Sequence, residues 1–113
     1  MEYSRILTKE ERKLVEFLLK KSSINFGDNW CDNLFVSPMD DGGMGSLLLL
    51  PNGVQINNNR KFGKKISEIQ FYDEDGVEVI ASLNVDQNGD LFELEIWKTD
   101  FSKLINLPDT FDK

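Results

Sequence analysis

The chain contains no histidine and a single cysteine among its 113 residues. Without histidine it lacks the commonest general base, triad member and neutral metal ligand. One cysteine cannot form an internal disulfide, so Cys31 reads as a small buried residue in a reducing compartment. Apolar runs are also short. The longest, at 47–50, cannot cross a bilayer, and the first residues hold no apolar core of signal-peptide length. These features predict a soluble cytoplasmic protein. Basic residues are missing altogether from 27–59, which carries four Asp and a charge of -4.

What is present is hydrophobic material and acid. Hydrophobic residues make up 40% of the chain and eight are Phe, enough for one core in one domain spanning 1–113. The net charge is -7, with +2 over 1–26, +3 over 60–72 and -8 over 73–113. A surface of that sign repels phosphate backbones and anionic lipid, which disfavours direct nucleic-acid or membrane binding. It favours a basic protein partner in rate and orientation. The plainer reading is that acidity keeps a small protein soluble.

Thr8-Lys9-Glu10-Glu11 fits a capping box, and Leu14, Val15, Phe17, Leu18 and Leu19 follow on one apolar stripe at helical spacing. Lys20 and Lys21 suit the negative end of the helix dipole. The pattern predicts a helix over 8–22, with Glu16 and Lys20 paired on its solvated face. Past a polar linker at 24–32 the chain turns to extended runs at 34–37, 46–50, 54–56, 65–72, 77–85 and 90–98. Pro51-Asn52-Gly53, Asp73-Glu74-Asp75-Gly76 and Asp86-Gln87-Asn88-Gly89 supply turns. A short helical turn is expected through Phe101, Leu104 and Ile105, ended by Pro108, with a loose tail over 109–113. The predicted class is α+β: an N-terminal helix packed on a mainly antiparallel β-sheet meander of about five or six strands.

The hairpin over 73–101 is the most informative stretch. Strand alternation puts Val79, Ala81, Leu83, Phe92, Leu94 and Ile96 on the core face. The opposite face then carries Glu78, Ile80, Ser82, Leu91, Glu93, Glu95 and Trp97, and is expected to stay wet together with Glu68, Gln70 and Asn84. Glu93 and Glu95 could serve acid–base chemistry, but an open sheet face gives them no burial to tune it. An exposed Trp ringed by charge is the anatomy of a binding hot spot; the alternative packs Trp97 under 101–107.

Asp40-Asp41-Gly42-Gly43-Met44-Gly45-Ser46 is rich enough in glycine to cradle a phosphate. It lacks the P-loop lysine, lies in the base-free segment and leads into a strand rather than a helix. A tight turn or bulge is the simpler reading. Asp86-Gln87-Asn88-Gly89-Asp90 has the early oxygens of a calcium loop. Leu91 and Trp97 stand where that loop requires Gly and Glu, so a hairpin turn is expected and no metal or cofactor. Residues 61–65 read as a solvated basic turn.

Met39-Asp40-Asp41-Gly42-Gly43-Met44-Gly45-Ser46-Leu47, Asp73-Glu74-Asp75-Gly76-Val77, Ala81-Ser82-Leu83-Asn84-Val85-Asp86 and Leu91-Phe92-Glu93-Leu94-Glu95-Ile96-Trp97-Lys98-Thr99-Asp100-Phe101 together resemble a family of small bacterial proteins of unknown function. Some of these are similar to immunity proteins of polymorphic toxin systems. The resemblance covers most of 7–107. It implies an acidic face that blocks a basic nuclease or other toxin, and carries over no catalytic residue. The leading expectation is a non-enzymatic protein-binding module using Glu78, Glu93, Glu95 and Trp97, with Asp41 and Met44 of the glycine loop as a second surface. Two other readings stand: a small-ligand module built on that loop, and a subunit that assembles with itself through a sheet edge or through Ile80, Leu91 and Trp97. An enzyme is the weakest option.

Overall fold

The helix forms where its cap and stripe require it. The structure, a computed structural model, describes residues 4–52, 59–108 and 111. Helix α1 spans Lys9–Lys21, and both halves of the capping box are made. The Glu11 amide donates to the Thr8 hydroxyl at 3.1 Å, and the Thr8 amide donates to the Glu11 carboxylate at 2.9 Å. Arg5 donates to both oxygens of the same carboxylate at 2.8 and 2.9 Å. Leu14, Val15 and Leu18 are completely buried, each worth roughly 1.5–3 kcal/mol in transfer free energy.

Five strands follow: β1 Leu34–Pro38, β2 Leu47–Pro51, β3 Phe62–Tyr72, β4 Glu78–Asp86 and β5 Leu91–Lys98. They form one antiparallel sheet in the order β1-β2-β5-β4-β3, an α+β fold as expected. Strands β3 to β5 are a meander. The β1–β2 hairpin joins it through the short pairing of Leu47 with Leu94 and Leu48 with Glu93. The run expected at 54–56 lies outside the described residues, as does Gly53 of the turn before it. Arg5 pairs with Val36 on the outer side of β1.

Strand β3 starts earlier than expected and takes in most of the basic 61–65 segment. Gly63 explains how. A Cβ built there falls 2.2 Å from the Asp86 carbonyl oxygen, so only glycine lets β3 lie this close to the end of β4. The Lys61 amide donates to the Gln87 side chain at 2.8 Å, and the Gln87 amide donates to the Lys61 carbonyl at 3.0 Å. Gly63→Ala is expected to destabilise the fold by about 3 kcal/mol, measured by urea denaturation. A loss under about 0.5 kcal/mol, the scale of an ordinary surface change, would show that the two backbones can part cheaply.

The helix-side face of the sheet carries Leu34, Val36, Leu47, Leu49, Ile69, Phe71, Val79, Ala81, Leu83, Leu94 and Ile96. At the turn end of β5 the expected alternation fails. The register shifts so that Val85 pairs with Leu91, leaving Phe92 as an extra residue. Such a bulge reverses inside and outside beyond it. Leu91 therefore enters the core, while Phe92 is half-buried with the Arg60 guanidinium 5.0 Å from its ring centroid. Leu91 does not join Ile80 and Trp97 on the open face.

Three further expectations change. Cys31 is half-buried, in the turn before β1, rather than buried. No helical turn forms after β5, because the amides that would bond locally bond across the fold instead. Leu104 donates to the Gly43 carbonyl at 3.1 Å, and Ile105 and Asn106 donate to the Asp73 carboxylate. The tail is not loose at Phe111, whose buried ring sits 5.4 Å from Phe71 and 6.0 Å from Phe17. Among the described residues no helix is long and apolar enough to cross a membrane.

Candidate functional site

The register fixes what the face away from α1 displays. Reading across the sheet, Ser37, Leu48, Glu93, Asn84 and Lys65 form one row. Glu95, Ser82 and Glu68 form the next, then Trp97, Ile80 and Gln70, then Glu78 opposite Tyr72. Glu93, Glu95 and Trp97 thus stand in line along β5, with Glu78 one row beyond on β4. Glu78 is half-buried, and its carbonyl accepts from the Thr99 amide and hydroxyl at 3.0 and 3.1 Å.

This face is less wet than expected. Ser82 and Asn84 are buried and Glu93 is half-buried, because long neighbouring side chains cover the short polar ones between them. The Asn84 amide nitrogen donates to Glu95 at 2.6 Å and reaches Glu93 at 3.4 Å. One amide therefore ties the two carboxylates together. Burial raises the pKa of Glu93, the Asn84 bond works against that, and the Glu95 charge adds to the rise. An open face was expected to leave the pair untuned; Glu93 departs from that through its burial. Glu95 stays exposed, its orientation set by Asn84.

Trp97 is 43% exposed, and its ring centroid lies 6.0 Å from that of Phe101, itself 69% exposed. The C-terminal segment touches Trp97 but does not cover it. Phe101 reaches this position from a left-handed backbone, φ 64°, with its amide donating to the Lys98 carbonyl.

The glycine loop meets β5 here. Asp41 turns its carboxylate back on the loop, accepting from the Met44 amide at 3.1 Å and the Ser46 amide at 2.9 Å. Burial acts to raise the Asp41 pKa, but the Ser46 hydroxyl and amide and the Gly45 and Met44 amides hold it below the usual value. Two of the loop amides that a phosphate would need, those of Met44 and Ser46, are already donating to Asp41. Gly43 lies against the Lys103 side chain, where a Cβ would sit 2.9 Å from Cγ. The Ser46 hydroxyl bonds both the amide and the carbonyl of Ile96. The Met44 sulfur accepts from the Lys98 amide at 3.4 Å. A groove of about 330 Å³ results, lined by Met39, Asp40, Asp41, Met44, Glu95 and Trp97. The two surfaces expected separately, Asp41 with Met44 and Glu95 with Trp97, are thus one surface; Glu93 and Glu78 flank it.

Sequence reading missed a deeply buried charge. Lys98 is 1% exposed, and its ammonium donates to Asp73 at 2.8 Å, Asp75 at 2.7 Å and the Lys103 carbonyl at 3.1 Å. The signal was available, since Lys98 continues the inward series Leu94 and Ile96 at period two. A second buried pair, Arg60 with Asp86 at 2.8 Å, closes the other end of the hairpin. In that turn the Asp86 carboxylate accepts from the Asn88 and Asp90 amides, as a hairpin turn requires.

A family model described as a domain of unknown function (DUF6984) matches residues 4–108. No curated protein and no solved structure matches the chain.

Proposed function

We propose that this chain, which belongs to the DUF6984 family, is a non-enzymatic protein-binding module for a basic partner, acting as an inhibitor in the manner of an immunity protein or antitoxin. The observation that supports this most is Trp97, exposed on an open sheet face between Glu95 and Phe101. Large aromatics at the centre of a charged surface carry most of the energy of protein–protein contacts. Carboxylates around them set orientation and speed of encounter with a basic surface. The small-ligand reading draws less support, because the Met44 and Ser46 amides of the loop are spent on Asp41. Self-assembly through β3 is disfavoured by the register breaks and lysines along that edge, features that blunt strand addition.

The test is co-purification of a tagged full chain from its native cells, followed by affinity measurement. A stoichiometric basic protein is expected with the wild type. Glu93→Lys with Glu95→Lys is expected to weaken that complex by roughly tenfold or more. Because Glu93 is half-buried, Glu95→Lys with Trp97→Ala serves as a second variant on exposed positions only. Unchanged affinity in both folded variants would sink the acidic-face reading.

A further inference from the structure

We infer that the groove between the 39–46 loop and β5 is a socket for an arginine side chain of the basic partner, an inference that rests on the protein-binding reading above. The groove is lined by apolar and acidic side chains together. Met39, Met44 and the Trp97 indole supply walls for an aliphatic stem, and Asp40, Asp41 and Glu95 line it with no basic side chain among them. Its volume of about 330 Å³ is enough for one long side chain. Charge complementarity therefore selects the occupant: a cation on a flexible apolar stem.

Arginine fits these walls better than lysine. Its guanidinium is planar, stacks on an indole face and bonds a carboxylate through two parallel N–H groups. Glu95 is already oriented for such a bond. Asn84, completely buried, holds one Glu95 oxygen at 2.6 Å, so part of the ordering cost falls on folding rather than on binding. Asp41 is committed to the loop amides and contributes charge rather than a free oxygen. Asp40 stands exposed. In this arrangement Glu95 pairs with the guanidinium, Trp97 stacks on it, Asp40 adds field, and Met39 and Met44 pack the stem.

The probe is a blocked hexapeptide of alternating glycine and arginine, compared with its glycine–lysine counterpart by calorimetry on the full chain. Salt of about 0.1 M sets a screening length near 10 Å and suppresses charge effects from outside the groove. The arginine peptide is expected to bind about fivefold tighter than the lysine peptide. Asp40→Asn with Glu95→Gln is expected to weaken it by about tenfold, and Trp97→Ala to remove the arginine preference. Glu10→Gln with Glu16→Gln, on the far face of α1, removes the same charge and is expected to change the affinity less than twofold. A circular-dichroism melt of each variant confirms its fold, and Trp97→Leu, which keeps apolar bulk without a stacking face, replaces Trp97→Ala if the latter fails to fold. Equal binding of both peptides overturns the arginine socket. Equal losses in the groove and α1 variants overturn the groove while leaving a basic partner in place. No binding of either peptide to any form, together with no basic protein co-purifying, overturns both readings.

Discussion

Lys98→Ala is expected to lower the Tm by on the order of 15 °C. The Lys98 ammonium is the counter-charge for Asp73, whose side chain has no exposure at all. Removing one partner of a buried pair strands the other. The loss then spreads, because Asp73 also accepts from the amides of Glu74, Ile105 and Asn106 at 2.7, 2.7 and 3.2 Å. Lys98→Met, which keeps the stem, separates packing from charge and is expected to recover less than half of the drop. The same pair sets a pH dependence. Burial pushes the Asp73 carboxyl up, but the amides and Lys98 pull it from 3.8 down to about 2. A depressed carboxylate contributes stability that is fully present above its unfolded value and is lost as pH falls through its folded value. Wild-type Tm should therefore drop between about pH 4 and pH 2, and Lys98→Ala should show a shallower drop there. For Lys98, burial acts to lower the pKa and the bonds to Asp73 and Asp75 raise it above 10.5. Its own contribution is complete below that value and lost only at higher pH.

Arg60→Ala is expected to cost about 3 kcal/mol, measured by urea unfolding. The guanidinium joins three parts of the sheet. Nε donates to Asp86 at 2.8 Å, one terminal nitrogen donates to the Leu49 carbonyl at 2.7 Å, and the other donates to the Leu91 carbonyl. Its face lies over Phe92. Both side chains of the ion pair are almost wholly buried, at 8% and 2% exposure, so alanine strands the Asp86 carboxylate and two carbonyls. Arg60→Lys restores charge without the planar fork and should recover less than half of the loss. A variant within 0.5 kcal/mol of wild type would show that this end of the hairpin holds by its backbone pairing alone.

Local signals were the legible ones. Thr8 and Glu11 announced the helix start because a capping box needs only neighbouring residues, and the structure makes both of its bonds. Alternation placed Val79, Ala81, Leu83, Leu94 and Ile96 inside. It failed at Leu91 and Phe92, where one inserted residue reverses the phase and nothing in the local pattern marks the insertion. The C-terminal segment was illegible for a different reason. Its amides bond to Asp73 and Gly43, more than 30 residues away in sequence, so propensity for a helical turn had no say. Of the candidate surface, the residue types were readable but their meeting was not. Joining Met44 to Trp97 depends on the Ser46 and Ile96 bonds, which form only once β2 docks on β5.

The most direct measurement is amide hydrogen exchange on the full chain, alone and with any basic protein recovered by the proposed co-purification. Protection concentrated in 39–46 and 91–98, and lost with Glu95→Lys and Trp97→Ala, is the expected result. Protection confined to α1 or to the β3 edge would contradict a binding face built on β5.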